Sequence, residues 1–283
     1  MGKKYIFVAD MFEEQYPGGA EITTESIIED KKKEIIKINS HLVDMNFIEN
    51  NLDKKWIFCN FANLEENIKI KLCKKINYSI IEYDYKFCKY RSIEKHRMLE
   101  NKDCDCTEYT TGKINMAFYG YAKRIWFMSE KQREIFLKNI KSIKEKNTEI
   151  LSSIFRKGDL RFIDNIRNNE KNDKYLILNS SSWIKGTQSC TQHAKQHGLS
   201  YELIKDLPYH ELLIKMSCSK GLIFKPLGGD TCPRIVIEAK LLGCDLILNE
   251  NVQHKDESWF SGDYDSCREY LKNRVTRFWS SYE

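Results

Sequence analysis

Residues 224–243 read FKPLGGDTCPRIVIEAKLLG, a pattern that indicates the fold class. An apolar, strand-like run ends at Phe224, a loop with two glycines follows, and a helix is predicted from Pro233 to Leu242. Gly243 is placed to close that helix. Backbone N–H groups at a helix start, together with the positive end of the helix dipole, suit a phosphate or electron-rich oxygens. The stretch therefore predicts a strand–loop–helix unit with an anion-binding turn.

Two acidic residues flank this turn. Asp230 precedes the predicted helix, and Glu238 lies inside it, eight residues later. The helix is otherwise rich in Ile, Val, Ala and Leu, so Glu238 would be costly to bury without a polar partner. A pair of sugar hydroxyls would be such a partner, because one carboxylate accepts hydrogen bonds from both. The alternative is structural: Asp230 caps the helix and Glu238 lies at its rim.

Short apolar strands alternate with helix-like segments along nearly the whole chain. Strands separated by helices of about 10–15 residues predict βαβ units and parallel sheets. A polar, charged stretch at 156–173 divides the alternation into two series. We expect a Rossmann-like domain over 1–160, a second over 161–260, and a terminal helix over 261–283 that packs back across both. Ligands of such sheets bind beyond the carboxyl ends of the strands.

The composition is that of a globular protein, with 41% hydrophobic and 31% charged residues among 283. The net charge of +5 permits a nucleic-acid-binding surface but does not indicate one, because basic and acidic residues are interspersed. The sequence has no apolar run of about 18 residues and no signal-peptide pattern, which predicts a cytoplasmic protein.

Ten cysteines without a secretion signal favour reduced thiols or metal ligands over a disulfide framework. Most lie singly in apolar runs, where a small buried hydrophobe is the favoured interpretation. One loop-like segment instead gathers four potential ligands: Cys88, His96, Cys104 and Cys106. Three thiols and an imidazole are a full ligand set for structural zinc. Free thiols or a redox pair are the alternatives.

Residues 224–243 resemble the acidic motif of the family-4-type retaining glycosyltransferases: an acid, seven residues, then Glu-Ala and a glycine after the helix. The resemblance implies an α/β protein of the GT-B fold, with two doubly wound, Rossmann-like domains facing a cleft. It implies that Glu238 binds the ribose of a nucleotide. It also implies that Asp230, with the amides of Thr231 and Cys232, holds the donor sugar. Two features depart from the pattern, since the first acid is Asp rather than Glu and Thr-Cys-Pro-Arg replaces a glycine-rich stretch.

A second segment, Leu178–Gly186, resembles the first strand of the second domain in the same family. There a Lys-Gly pair contacts the donor diphosphate, which implies that role for Lys185. An ammonium at this place also neutralises charge on the departing nucleotide. The family's arginine, five residues before the lysine, is Ser180 here. The other cation is therefore expected elsewhere, with Arg234 as the candidate.

Near the N-terminus, Tyr16–Glu21 resembles the Gly-Gly loop that approaches the donor in this family. Glycines let the backbone come close to a ligand, which makes Gly18 and Gly19 donor-binding candidates. The alternative is that Pro-Gly-Gly forms an ordinary turn.

Asp84 follows the predicted strand Tyr78–Tyr83 and is expected at the carboxyl edge of the first sheet. A carboxylate can accept a proton or orient an acceptor, so Asp84 is a catalytic candidate beside Asp230. The alternative for Asp84 is a turn or cap residue. His254 stands alone in the sequence and is interpreted as a surface or rim residue.

The predicted function is transfer of a sugar from a UDP- or GDP-linked donor to an acceptor. By resemblance the anomeric configuration is retained, the donor phosphate assists the attack, and the chemistry needs no cofactor, so a zinc would be structural. A glycan, a lipid-linked sugar, a protein and a modified DNA base stay open as acceptors, and the Lys-, Ile- and Asn-rich composition admits a viral or phage enzyme. The alternative function is a catalytically idle nucleotide- or nucleic-acid-binding module on the same fold.

Overall fold

The structure is a computed structural model that describes residues 2–282. Within these residues the chain forms two compact units. The first unit comprises the residues up to Ile154 together with those from Val275 onward, and the second unit comprises Phe155–Arg274.

The first unit is built on one parallel sheet with helices between its strands. The strands are β1 (Tyr5–Ala9), β2 (Ile35–Asn39), β3 (Lys55–Phe58), β4 (Tyr78–Glu82), β5 (Arg124–Phe127) and β6 (Thr148–Ile150). The helices are α1 (Gly19–Asp30), α2 (Met45–Glu49), α3 (Glu66–Lys75), α4 (Ile93–Glu100), α5 (Thr110–Tyr121) and α6 (Glu130–Asn139). Across the described part of the chain, the strand order is β2-β1-β3-β4-β5-β6, and every pairing is parallel.

Burial on both faces explains why these strands are nearly continuous apolar runs. Ile6, Phe7 and Val8 of β1 are each fully buried. Helix α6 begins with a side-chain cap from Ser129. Ser129 Oγ accepts a hydrogen bond from the Gln132 backbone N–H at 3.2 Å.

The second unit repeats the same plan with a smaller sheet. Its strands are β7 (Tyr175–Leu178), β8 (Tyr201–Ile204), β9 (Gly221–Phe224) and β10 (Asp245–Leu248). Its helices are α7 (Lys157–Ile166), α8 (Thr187–Gln196), α9 (Tyr209–Ser217), α10 (Arg234–Leu241), α11 (Ser258–Ser261) and α12 (Tyr264–Lys272). The strand order among the described residues is β10-β9-β7-β8, again with parallel pairing throughout.

The limits of the units differ from the predicted division at residue 160. The polar stretch expected to link two domains contains α7, and the second unit already begins at Phe155. Leu160 and Ile163, three residues apart on α7, are buried. Four of the ten residues of α7 are charged and only two of its apolar residues are buried, which is why its sequence reads as a linker.

One terminal helix is predicted over 261–283, of which residue 283 lies outside the described residues; residues 262–282 contain two helices, which divide between the units. Helix α12 belongs to the second unit, whereas α13 (Arg274–Ser280) leads into the first unit from Val275. There Trp279 packs edge-on against Tyr5 with ring centroids 4.9 Å apart, and Phe278 contacts Trp126 at 5.3 Å. The aromatic C-terminus thus completes the core of the first unit.

Both sheets have a point where the strand order reverses, between β1 and β3 in one and between β7 and β9 in the other. Ligands of open parallel sheets bind at this switch point, outside the carboxyl ends of the strands. These two positions are therefore where the predicted site residues have to be sought. No helix within residues 2–282 is long and apolar enough to cross a membrane.

Candidate functional site

The loop after β7 ends in a left-handed turn that requires glycine. Gly186 has a φ of +62°, and a Cβ added to it would lie 2.2 Å from the carbonyl oxygen of Lys225. Lys225 directly follows β9, so the chain segments that leave the two central strands touch at backbone level. At the start of α8, Thr187 Oγ1 donates to the Leu178 carbonyl at 2.6 Å and accepts from the Ser180 N–H at 3.1 Å. These two bonds hold the loop after β7, and the Leu227 N–H of the other loop donates to the Ile184 carbonyl at 3.1 Å.

Lys185 and Asp230 form an ion pair at this switch point. Lys185 Nζ lies 2.8 Å from Asp230 Oδ2, which joins the loop after β7 to the loop after β9. The backbone of Asp230 is fixed by its N–H, which donates to the Asn251 carbonyl at 2.8 Å, and by its carbonyl, which accepts from Gln253 at 3.0 Å. The Lys185 side chain is 31% exposed and that of Asp230 is 13% exposed. A ligand can therefore reach both charges.

Asp230 is not the cap of α10, which was the structural alternative considered for it. The residue at the cap position is Pro233, and no side chain caps this end of the helix. Thr231 and Cys232, which connect the two, are each only 6% exposed. Both residues are thus enclosed, backbone included.

Glu238 lies on the buried face of α10 and is 2% exposed, so the alternative of a rim position is wrong. Tyr209 donates a hydrogen bond to Glu238 Oε1 at 2.9 Å, and Arg234 Nε lies 3.4 Å from the same oxygen. Arg234 also donates to the Tyr209 hydroxyl at 3.2 Å and covers the Phe155 ring at 4.0 Å. Burial raises the pKa of Glu238, and the charge of Arg234 opposes that rise. The protein itself thus supplies a polar partner for this costly carboxylate.

Arg234 was predicted as a second cation for the donor diphosphate. It is 6% exposed, and its guanidinium lies within reach of Glu238 and Tyr209. A more accessible cation at the same edge is Lys225, which the sequence reasoning missed. The signal for it was position alone, since Lys225 is the first residue after β9.

Lys225 is held beside an imidazole. Its Nζ lies 3.1 Å from His193 Nδ1, and its backbone N–H donates to Cys190 Sγ at 3.2 Å. Burial, followed by the positive charge of Lys225, lowers the pKa of His193. A neutral imidazole can accept a hydrogen bond from the ammonium, so the pair places one positive charge at the end of β9.

At the switch point of the first sheet, the predicted Gly-Gly loop leads into α1. Gly18 is the N-cap residue of α1, and Gly19 is its first residue. A Cβ on Gly18 would lie 2.3 Å from Glu21 Oε2. Glu21 accepts a hydrogen bond from Asn60, after β3, at 3.5 Å, and burial raises the pKa of Glu21. Glu21 was not singled out from the sequence, although it ends the Gly-Gly segment.

Asp84 lies beyond the end of β4 between two cations. Its Oδ1 accepts from Lys86 Nζ at 3.1 Å, and its Oδ2 accepts from Arg91 Nε at 2.7 Å. Lys86 also donates to Glu82 Oε1 at 2.8 Å, and the Tyr119 hydroxyl donates to the other oxygen of Glu82. Asp84 is thus part of a charged network rather than an isolated turn residue.

The pKa values of the two carboxylates in this network are shifted in opposite directions. Burial works against the charge of Asp84, but Lys86 and Arg91 outweigh it and hold the pKa of Asp84 below its usual value. Burial raises the pKa of Glu82 to about 7, with Lys86 opposing the rise. Because a carboxylate with a lowered pKa is a weak base, Asp84 is better suited to orienting a group than to removing its proton.

The structure brings the four predicted metal ligands together. One ligand atom from each of Cys88, His96, Cys104 and Cys106 lies within 4.8 Å of all the others.

His254 is fully buried, so its interpretation as a surface or rim residue is wrong. Its ring stacks on Trp259 at 5.5 Å and meets the edge of Phe260 at 4.5 Å.

The predicted donor-binding residues divide between the units. Those in the second unit are Lys185, Asp230, Thr231, Cys232, Arg234 and Glu238. Gly18, Gly19 and the catalytic candidate Asp84 belong to the first unit. The second unit alone therefore assembles the candidate nucleotide site, around the Lys185–Asp230 pair.

Comparison with known proteins gives matches in structure but not in sequence. No protein-family model and no curated protein matches the sequence. HepE of Anabaena, in complex with UDP and glucose, is 10% identical with a TM-score of 0.57, over 97% of this chain and 89% of that chain. OtsA in its apo form is 10% identical with a TM-score of 0.61, over 97% and 92% of the two chains.

Trehalose-6-phosphate synthase, solved in work on glycosyl transfer with retention, is 11% identical with a TM-score of 0.60. That match covers 97% of this chain and 91% of the synthase chain. Structural similarity at 10–11% sequence identity shows the fold alone. The chain has the two-domain, Rossmann-like GT-B fold of glycosyltransferases.

Proposed function

We propose that this protein is a glycosyltransferase that moves a sugar from a UDP- or GDP-linked donor to an acceptor, with retention of configuration. The observation that carries the proposal is the Lys185–Asp230 ion pair, which lies at the switch point of the second sheet of a GT-B fold. This is the place where a doubly wound sheet binds its ligand. The same two residues are those that the sequence resemblance assigns to the diphosphate and the sugar.

In this proposal Lys185 binds the diphosphate of the donor. Its ammonium has three donors, so it can keep Asp230 at 2.8 Å and still donate to phosphate oxygens. Lys225, at the end of β9, is the second cation and takes the place first considered for Arg234. The glycine turn at Gly186 supports this role, because it lets the loop that carries Lys185 lie directly against the backbone of Lys225, the second cation. Two cations at the bridging phosphate stabilise the charge that develops as the nucleotide departs.

Glu238 is proposed to bind the ribose hydroxyls of the nucleotide. Tyr209 and Arg234 both approach Oε1 of this carboxylate and so fix its orientation. A carboxylate held in this way is a pre-organised acceptor for a pair of hydroxyls. Arg234 then acts through Glu238 rather than on the phosphate, because its guanidinium already contacts Glu238 and Tyr209.

Asp230 and the amides of Thr231 and Cys232 are proposed to hold the donor sugar. Retention with assistance from the donor phosphate requires no protein nucleophile, which agrees with a site whose acids are paired with cations. HepE is complexed with UDP and glucose, and the synthase was studied for transfer with retention, which favours UDP as the first nucleotide to test. Asp84, paired with Lys86 and Arg91, is proposed to orient the acceptor.

The test is a screen of UDP- and GDP-linked sugars in which release of free UDP or GDP is measured, with and without glycan acceptors. We expect release from one nucleotide class, and we expect NMR of the product to show the anomeric configuration of the donor. Because no metal is assigned to the chemistry, release should continue when divalent cations are left out of the buffer. An inverted product would contradict the retaining mechanism.

Absence of both release and nucleotide binding would overturn the proposed function. Binding of UDP or GDP without turnover of any donor would favour the idle binding module instead. A thermal shift with DNA alone, and with no nucleotide, would identify a nucleic-acid-binding module. The departures at Asp230 and Ser180 from the family pattern are what keep that second function worth testing.

A further inference from the structure

The segment between β4 and α5 contains a cluster that sugar transfer does not use. Cys88 lies in the turn after β4, His96 in α4, and Cys104 and Cys106 in the loop before α5. We call these four residues the Cys3His cluster. Cys88, His96 and Cys106 are buried, and Cys104 is half-buried.

Two of the distances in the Cys3His cluster match the edges of a tetrahedral metal site. Zinc with bonds of about 2.3 Å to sulfur and about 2.0–2.1 Å to nitrogen requires N···S edges of about 3.6 Å and S···S edges of about 3.8 Å. His96 Nδ1 lies 3.5 Å from Cys106 Sγ and 3.7 Å from Cys88 Sγ. All four ligand atoms lie within 4.8 Å of one another. The two N···S distances are thus within about 0.1 Å of the tetrahedral value, and thiols as far apart as 4.8 Å would have to approach by about 1 Å to bind the same metal.

The other side of the imidazole has the partner that a metal-bound histidine uses. His96 Nε2 is buried without a hydrogen bond, and the nearest carboxylate oxygen, Asp105 Oδ1, lies 3.6 Å away. Metal-ligating histidines almost always direct their second nitrogen to a carboxylate or carbonyl, which fixes the tautomer. Lys102 Nζ holds the same carboxylate from the solvent side at 2.5 Å. With Nε2 protonated, the lone pair of Nδ1 points at the thiols.

Sulfur ligands in the cluster are also supported by the backbone. The Lys89 N–H donates to Cys106 Sγ at 3.4 Å. The N–H of Arg91 donates to the Cys88 carbonyl at 2.9 Å, which closes the turn that carries this thiol. Backbone donors stabilise the thiolate form, and the thiolate is the form that binds metals.

Helix α4 has few buried side chains. His96 is the buried residue of α4, whereas Met98 and Leu99 are 56% and 54% exposed. A short helix is stabilised in a protein chiefly by burying an apolar face, and α4 buries an imidazole instead. Bonds from His96 to a metal would supply the missing attachment.

We propose that the Cys3His cluster binds one zinc ion, which fixes the segment from Cys88 to Cys106. Three soft thiolates and an imidazole suit Zn²⁺, and four protein ligands leave no open position for catalysis, so the zinc is structural. Zinc also fixes the place of Arg91, which has a left-handed φ of 56° and binds Asp84. The proposal stands independently of the proposed sugar transfer.

The first test is metal content of protein purified without chelator, measured by mass spectrometry. We expect one zinc per chain, and cobalt exchanged into the protein should give the intense d–d absorption of a tetrahedral sulfur-rich site. Cys104→Ser should lose the zinc, whereas Cys73→Ser, at a half-buried thiol of the same unit, should keep it. Zinc-free native protein that binds no added zinc would overturn the proposal.

A second variant keeps the test valid if Cys104→Ser fails to fold. Asp105→Asn leaves all four ligands in place and should weaken zinc affinity about 10–100-fold, measured by competition with a chromogenic chelator. Asp103→Asn, two residues away and paired with the exposed Arg97, is the matched control and should not change it. Equal zinc affinities in Asp105→Asn and Asp103→Asn would show that Asp105 does not support His96 as a ligand. Fewer than ten thiols titrated in the unfolded, unreduced protein would show a disulfide in place of the metal site.

Discussion

The ion pair between Lys185 and Asp230 joins the two loops at which the strand order of the second sheet reverses. Each residue lies beyond the carboxyl end of a central strand. The two loops contact each other through these opposite charges. A partly exposed ion pair adds only about 0–1 kcal/mol to stability. Its position therefore indicates ligand binding more than structural support.

Lys185→Ala should weaken binding of UDP or GDP by about 10–100-fold, because a hydrogen bond to a charged group contributes about 1.5–3 kcal/mol. Isothermal titration calorimetry with the free nucleotide measures this effect without requiring an acceptor. The control is Lys195→Ala, at an exposed lysine near the other end of α8. Equal nucleotide affinity in the two variants would contradict the proposed diphosphate contact.

Asp230→Asn should act on the sugar rather than on the nucleotide. The change removes the negative charge beside Lys185 and leaves the ammonium, so affinity for free UDP or GDP should stay the same or increase. Turnover of the nucleotide-sugar should decrease steeply, because Asp230 is proposed to hold the donor sugar. Loss of nucleotide binding with unchanged turnover of the remaining complex would show that Asp230 only positions Lys185.

Tyr209→Phe should weaken both the fold of the second unit and nucleotide binding. The Tyr209 hydroxyl donates to Glu238 and accepts from Arg234. Its removal takes one hydrogen-bond partner from each of these two enclosed side chains. We expect a cost of about 1–3 kcal/mol in the free energy of unfolding, measured by urea denaturation.

Tyr201→Phe is the matched control for this change, because the Tyr201 hydroxyl forms no hydrogen bond within residues 2–282. A double-mutant cycle of Tyr209→Phe with Glu238→Gln measures the contact itself. A coupling energy near zero would mean that Glu238 does not depend on Tyr209.

Gly186→Ala should lower the thermal unfolding midpoint more than Gly198→Ala. Both glycines have a φ of +62°, so each alanine carries the cost of a left-handed residue, about 1–2 kcal/mol. Only at Gly186 does the new Cβ meet backbone, 2.2 Å from the Lys225 carbonyl, whereas the space around Gly198 is open. Equal shifts in the two variants would show that the loops after β7 and β9 are not in contact.

Local patterns predicted the strand–loop–helix alternation, the turn before α10 and the Cys3His cluster, because the residues involved lie close together in the sequence. The partner of Glu238 was not predictable, since Tyr209 lies 29 residues earlier on another helix. Periodicity shows which face of a helix is buried, but not which side chain of a distant element meets it. Helix α7 was not predicted for the same reason, because its two buried apolar residues lie among charged residues. The burial of His254 likewise depends on distant side chains.

His254 should make the second unit sensitive to acid. Burial lowers the pKa of its imidazole from 6.5 to about 3, and neither ring nitrogen has a hydrogen-bond partner within residues 2–282. The folded protein therefore keeps this ring neutral where the unfolded chain binds a proton. Because the unfolded state binds more protons, the free energy of unfolding decreases as pH falls from 6.5 toward 3, by up to about 1.4 kcal/mol per pH unit.

His254→Phe should remove this part of the pH dependence. Phenylalanine can fill the same space between Trp259 and Phe260 without a titrating group. The free energy of unfolding, measured between pH 6.5 and 4.5, should then decrease less steeply than in the wild type. The difference in slope corresponds to about one proton fewer bound on unfolding. His210→Phe, at an exposed histidine of the same unit, is the control and should keep the wild-type slope. An unchanged slope in His254→Phe would mean that the imidazole reaches water or a partner when it is protonated, so that burial does not control its charge.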